Sequence, residues 1–452
     1  MKSGNKRTYL FLLALFPSFL MAQSPDSIRN TRHEFSVQQA IDYASKNNVQ
    51  VKNALLDVQI QEQTNREVTG MAYPQISGSG SLTYNAKLPV SLVPAEFFGG
   101  PPGTFEKFAF GVKWNATGGM SLDQLLFDGQ VFIGLQARNT LMDFQLKNVE
   151  VTEEVIKANI YKIYYQLVAS KTQIELLDAN IARLEKLQHD AKIIYDNGFA
   201  EKLDLDKIAV QVANLQTERT SVVNQVNNGY LGLKVLMGMP VHDELILTDT
   251  LNEDEVKQGV LEASGFDYTN RKEYQYANLG IRLKEYDIQR YKLSKLPTLS
   301  LGAYYNKNAQ RNKFNFFKSG EDWFDISAVT LNLKIPIFSG FAANARIARA
   351  KLSMQQSINQ REALKLNIDN EIQTSKNNFS SAITSLDYQK RNMTLAESVY
   401  DQTKKKYEAG TGSQTEINAA QTDMKAAQTN YIKALYDAII AKIDFLKATG
   451  KL

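Results

Sequence analysis

The 452-residue chain contains no cysteine, which excludes disulfides, thiolate metal sites, a cysteine nucleophile and lipidation through an N-terminal cysteine. Histidine is nearly as scarce. His33, His189 and His242 lie far apart in different expected elements, so solvent-exposed rings are expected rather than a metal centre. Past residue 22 no run of about 18 to 20 apolar residues occurs, hence no transmembrane helix is expected. A bilayer could then be crossed only by a closed β-barrel, because every backbone N–H and C=O must find a partner inside lipid. GxSxG, phosphate-loop, HExxH and zinc-ligand spacings are missing too, so neither enzymatic activity nor a cofactor is expected. Carboxylate pairs such as Glu153-Glu154, or Asp57 with Glu62, sit on charge-rich helical stretches and read as solvated faces.

What is present begins with an address. Lys2, Lys6 and Arg7 precede the apolar run Leu10 to Leu15, and Met21-Ala22 forms a plausible cleavage point before Gln23, so residues 1–22 read as a secretory signal. That segment holds three of the 52 basic residues and no acidic one, leaving 49 basic against 48 acidic groups. Such a balance, with no clustered basic face, argues against a nucleic-acid partner.

The chain also says one thing twice. Tyr195-Asp196-Asn197-Gly198, with Asp204 six residues past the glycine, recurs 212 residues later as Tyr407-Glu408-Ala409-Gly410 with Glu416. Before the second glycine, apolar positions from Ile368 through Phe379, Leu386 and Tyr400 to Tyr407 alternate steps of four and three. The same offset gives Ile156, Leu167, Ile174 and Gln188 up to Tyr195. Beyond the glycines, Ile417, Met424 and Phe445 answer to Leu205, Val212 and Leu233, with Arg219 the one awkward member. A sustained 3.5-residue period describes duplicated coiled helical hairpins.

The segments between repeat their order. Residues 24–34 read as a loose polar lead-in, 36–70 as a helix capped by Ser36, and 75–84 as a strand entered at Pro74 with alternating Ser and apolar residues. A long irregular loop is expected over 89–108 and a second strand over roughly 110–127, which Gln124 interrupts and Phe127-Asp128-Gly129 closes. A helix then runs to Tyr195, on the order of 100 Å at 1.5 Å per residue. In the second half a helix over about 268–294 stops at Pro297, a strand begins at Thr298, a polar loop is expected from Asn306, and a strand through Leu331 and Ile337 ends at Phe338-Ser339-Gly340. The expected organisation is a signal (1–22), a first repeat (23–239), a joining segment (240–266) and a second repeat (267–452).

Each half thus supplies two strands and long helices, about four strands per chain, too few to seal a lipid-crossing wall. Copies must combine: two would give eight strands, three would give twelve. With these features the chain resembles the TolC family of outer-membrane efflux and secretion channels across essentially all of its mature length. The ordered set carries the resemblance: strand starts at Pro74 and Pro297, strand exits at Gly129 and Gly340, and tip turns at Gly198 and Gly410. The fold it implies is mostly α with a small β part, a homotrimer whose twelve-stranded β-barrel lies in outer-membrane lipid and feeds a twelve-helix periplasmic α-barrel in a Gram-negative envelope. A middle belt would be formed partly by the joining segment and the chain ends.

The resemblance further implies a passive exit duct for a tripartite efflux pump or a type I secretion system. Gly198 and Gly410 would meet a periplasmic adaptor that couples the duct to an inner-membrane RND or ABC transporter. Asp204 and Glu416 would line the entrance as six carboxylates per trimer, and Tyr195 and Tyr407 would lock neighbouring coils. A further acidic position of the family is Ala419 here, a departure that Asp206 could offset. The rival reading is a periplasmic coiled-coil adaptor or scaffold, which would carry one central hairpin flanked by compact β-rich domains rather than two hairpins in tandem.

Overall fold

The computed structural model describes residues 31–198, 201–253, 256 and 266–452; the expected signal and much of the joining segment lie outside it. In chain order the elements are β1 (Arg32–Phe35), α1 (Val37–Asn47), α2 (Val49–Gly70), β2 (Gln75–Tyr84), β3 (Val90–Pro94), β4 (Phe105–Ala109), β5 (Trp114–Phe127), α3 (Gly129–Asp196), α4 (Lys202–Met237), β6 (Glu244–Leu247), α5 (Lys272–Leu293), β7 (Thr298–Arg311), β8 (Phe324–Lys334), α6 (Ala342–Glu408) and α7 (Gln414–Ala448).

Two unbroken helices organise the rest. α3 has 68 residues and α6 has 67, each about 100 Å long. α4 folds back along α3 and α7 along α6, while α3 packs against α7 to join the two hairpins. The heptad seam is the buried one: Leu177, Leu184, Ala191, Ile208 and Val212 of the first hairpin share a core with Tyr400, Ile417 and Met424 of the second. Arg219 escapes burial by turning its guanidinium onto Asp178 of α3, with Nη2 donating to Oδ2 at 3.2 Å.

The expected single helix over 36–70 is instead two. Asn48 leaves helical geometry at φ −59°, ψ 132°, and its Oδ1 accepts from the Gln50 and Val51 N–H groups, so it ends α1 and caps α2. Ser36 does cap α1, in a reciprocal box with Gln39. The break brings α2 end to end with α4: Asn48 Nδ2 donates to Leu236 O at 2.6 Å, and a Cβ on Gly238 would stand 2.2 Å from Asn47 O. The second half has the equivalent junction between α7 and α5. Arg271 Nη1 donates to Ala448 O at 3.0 Å, and Gly450, 212 residues after Gly238, faces Asn270 O in the same way. Each half therefore pairs one continuous helix with one jointed helix.

Beside these junctions the lead-in is not loose. β1 pairs in parallel with β6, from Arg32 opposite Glu244 to Phe35 opposite Leu247, and Phe35 with the alternating Leu245 and Leu247 covers the core around Ile160, Tyr164 and Leu233. Tyr164 donates its phenol to Phe35 O at 2.9 Å and accepts from Asp249 N at 3.1 Å; burial above all pushes its pKa up to about 12. His33, expected in solvent, is half-buried with Nε2 3.3 Å from Asp243 Oδ2, whereas His189 and His242 are exposed.

Among the described residues eight strands form, and four make the main sheet in the order β2-β5-β7-β8, antiparallel throughout. The irregular loop at 89–108 contains a small hairpin of its own, β3 with β4. The polar loop expected from Asn306 starts only after Arg311, because Asn306 and Asn308 pair with β5 and β8 on either side and their polarity suits one face of the sheet. β8 stops at Lys334, ahead of Pro336, which has no N–H to donate.

Candidate channel wall and entrance

Strand register sorts the sheet into two unlike faces. One rung crosses all four strands as Ile76, Leu122, Ala303 and Val329, and lower on the same face Leu301 lies opposite Leu331 and Leu299 opposite Leu333. The opposite face carries Ser77 beside Ser121, whose hydroxyls are 2.8 Å apart, and Asn308, whose Nδ2 donates to Thr117 Oγ1 at 2.8 Å and Asn115 Oδ1 at 3.0 Å. Phe316 covers Ala116 and Ala309 at one end of the apolar face, and the band itself lies open, with Ile76 71% and Val329 76% exposed. Gln124, the residue that spoils the alternation of β5, lies by a bulge and donates to the Ala72 and Leu125 carbonyls. Toward the β7–β8 turn the pattern inverts, with Lys307 and Asp325 paired at 3.1 Å on the apolar side.

Aromatic rings bracket this band. Tyr84 and Trp114 stand 4.6 Å apart at one end with Phe314 5.2 Å from Trp114; at the other, Phe127 and Phe132 are 5.7 Å apart, and Phe338 and Phe341 5.4 Å. Strands of 10, 14, 14 and 11 residues reach or exceed the roughly nine to eleven that a tilted strand needs to cross a hydrocarbon layer. An apolar band between aromatic girdles is the pattern of a barrel wall in lipid, and sequence reasoning missed the girdles because the rings come from separate strands and loops. Among the described residues no helix is long and apolar enough to cross a membrane. Pro74 and Pro297 each stand directly before a strand, Gly129 opens α3 where a Cβ would stand 2.8 Å from Leu293 Cβ, and Gly340 turns the chain at φ 58° into α6.

The opposite ends of the long helices carry the two tip turns. Gly198 and Gly410 adopt φ 83° and 72°, and a Cβ on either would meet nothing within 4 Å, so the backbone conformation demands glycine and the surroundings do not. Their N–H groups close on Tyr195 O and Tyr407 O at 2.8 and 3.0 Å. Tyr407 is half-buried beside α3; burial, then the carboxylates of Asp204 and Asp190, raises its phenol pKa, while Tyr195 is more open. The structure thus brings Tyr407 and Asp204 together across the tips.

Asp204 and Glu416 both occupy the third helical position after their turns, yet their surroundings differ. Glu416 completes a capping box: its N–H donates to Ser413 Oγ at 3.2 Å, and its Oε2 accepts from the Ser413 N–H at 3.3 Å. The equivalent of Ser413 is Glu201, which makes no such cap, and Asp204 turns to Lys207 Nζ at 3.3 Å. Asp206 is exposed.

Further from the tips lies a polar cluster that hydropathy alone could not reveal. Asn180 of α3, 1% exposed, donates from Nδ2 to Gln428 Oε1 at 3.1 Å across the α3–α7 seam, and Gln428 donates in turn to Glu397 Oε1 at 2.8 Å. Gln421 and Arg183 both donate to Asn180 Oδ1, at 3.0 and 3.2 Å. A usable signal was present, because Asn180, Gln428 and Glu397 each have an identical residue at the repeat offset.

Residues 269–451 match the family model described as outer membrane efflux protein. The outer membrane protein TolC of Salmonella enteritidis is 20% identical over 349 residues, 76% of this chain and 71% of that one. The proteases secretion protein PrtF of Dickeya chrysanthemi is 22% identical over 208 residues, 45% of this chain and 44% of its own length. The crystal structure of CusC, from work on folding and transmembrane channel formation, superposes with a TM-score of 0.74 over 98% of both chains at 17% identity, a likeness of fold. A family match to the second half, a relative reaching across both halves and a shared fold along the whole length agree in supporting an outer-membrane channel of the TolC type.

Proposed function

We propose that three copies close into a passive conduit through the outer membrane, with the helices forming a periplasmic tunnel. The observation that carries this reading is the four-stranded sheet with an exposed apolar band and, among the described residues, two unpaired edges, β2 and β8. An open edge in lipid leaves backbone groups unsatisfied at several kcal/mol each, and joining β8 of one copy to β2 of the next removes both edges while preserving the antiparallel alternation. Three copies make twelve strands and, with α2 continued by α4 and α5 by α7, twelve staves of helix. The polar face then lines the lumen.

In this reading Gly198 and Gly410 present the tips to a periplasmic adaptor, and an inner-membrane RND or ABC transporter supplies the energy. Asp204 and Glu416 ring the entrance and favour cations there, with Tyr407 and Tyr195 seating the coils behind them. The two acidic positions contribute unequally, because Glu416 also caps its own helix and Asp204 is partly neutralised by Lys207. Purification in mild detergent with mass measurement tests the assembly: a trimer is expected, and a stable monomer overturns the reading. In planar bilayers, replacing Asp204 and Glu416 together by alanine is expected to lower cation preference; unchanged conductance and selectivity would remove these residues from the entrance.

A further inference from the structure

The internal repeat does more than duplicate a hairpin, because it supplies a template for the contact between copies. Within one chain the staves of the tip-side half run α4, α3, α7, α6: α4 packs on α3, α3 on α7, and α7 on α6. Among the described residues the outer staves α4 and α6 each keep a free flank toward the tips. By the 212-residue offset α6 is the counterpart of α3, and α4 is the counterpart of α7. The operation that carries the first hairpin onto the second therefore carries the α3–α7 seam onto a seam between α6 of one copy and α4 of the next.

Three of the five residues that clamp the internal seam recur unchanged at the repeat offset. Asn180 corresponds to Asn392, Gln428 to Gln216 and Glu397 to Glu185, identical in each case. Two of the three already stand in matching relation: Gln216 Nε2 donates to Glu185 Oε1 at 3.4 Å, as Gln428 Nε2 donates to Glu397 Oε1 at 2.8 Å. What Gln216 lacks is the asparagine, and Asn392 is exposed on the far flank. The same operation works nearer the sheet. The N-caps Asn48 and Arg271, like Pro74 and Pro297, are 223 residues apart, so Lys272 corresponds to Val49; by the 212 offset Glu154 corresponds to Leu366. Inside the chain Lys272 Nζ lies 3.8 Å from Glu154 Oε2, whereas their counterparts Val49 and Leu366 are 64% and 71% exposed, an apolar pair left without cover.

We infer that copies join head to tail through a copy of the chain's own internal seam, in which Asn392 Nδ2 donates to Gln216 Oε1 of the partner subunit and Leu366 packs on Val49 of the partner subunit. A heterologous contact of this kind closes a ring when its rotation divides the circle. The seam between copies is the more apolar of the two. Leu395, 64% exposed, stands where the internal seam has Arg183, and Ala209 where it has Gln421. The inference rests on the assembly proposed above and adds the residues that build it.

The absence of native cysteine makes the test direct. Chains carrying Asn392→Cys and chains carrying Gln216→Cys are co-expressed, extracted in mild detergent and oxidised, alongside the single-chain double variant Asn180→Cys with Gln428→Cys, which calibrates the reach of the bond. The expected result is a covalent dimer of the mixed chains on a denaturing gel and an intrachain bond, with no gain in mass, in the calibrating variant. A trimer by native mass whose mixed chains stay uncoupled, while the calibrating pair closes, overturns the inference and leaves the conduit reading standing. A monomer by native mass overturns both.

Discussion

Where α4 meets α2, the first half of the chain fastens its junction with the neutral amide of Asn48; where α7 meets α5, the second half uses the guanidinium of Arg271, whose side chain is 3% exposed and reaches Ala448 O, Glu371 and Glu273. The tips contrast in the same sense, with a full capping box after Gly410 and an uncapped Glu201 after Gly198. Duplication preserved the path of the backbone, and the polar groups that secure it diverged. At its junction and tip the second half relies on the buried Arg271 and the Ser413 capping box, the first on the amide of Asn48.

The largest expected effect follows from the junctions. Arg271→Ala removes a buried cation from two carboxylates and a carbonyl and is expected to cost about 3 kcal/mol, the low end for breaking a buried pair because Glu371 is half in solvent. Asn48→Ala forfeits a helix cap and one buried hydrogen bond, about 1 to 2 kcal/mol. Denaturant unfolding of both variants checks the order, and equal losses would break the contrast between the halves. At the tips, Ser413→Ala is expected to cost about 1 kcal/mol, and Glu201→Ser to gain a few tenths up to about 1 kcal/mol by installing the missing cap. Amide exchange in the first turns of α7 and α4 reads these local changes.

The smallest effect concerns Glu154, buried on α3 with Oε1 lacking a partner. Burial, then Glu273, raises its carboxyl pKa above the ordinary value, against the opposing pull of Lys272, Arg271 and Lys447. A raised carboxyl pKa favours folding while the group is protonated, and that contribution is lost as pH climbs from the unfolded value near 4.5 through the folded one. Glu154→Gln is therefore expected to stabilise the protein at pH 7.5 and to change little at pH 4. Parallel unfolding curves at the two pH values decide it, and an equal shift at both would assign the effect to packing instead.

The long helices, the four main strands and both tip turns were legible in the sequence, because a 3.5-residue period and a strict alternation are properties of neighbouring residues. What escaped depends on contacts made at a distance. Asn48 sits within a helical pattern and breaks it only because its amide can reach Leu236. β1 and β3 are four and five residues long and take their order from partners elsewhere in the chain. Asn306 and Asn308 read as loop until register placed them on a polar face. Of the candidate site, the tip glycines and the equivalence of Asp204 with Glu416 were readable, whereas the different partners of those carboxylates were not, since Ser413 and Lys207 decide them.

The joint at Asn48 would also set how the proposed wall bears load. α3 and α6 run without interruption from sheet to tip, whereas their companions are segmented at mid-height. In the proposed cylinder bending stiffness would then alternate from stave to stave, the two rods of each copy carrying a push from tip to sheet and the segmented members free to pivot at their splices.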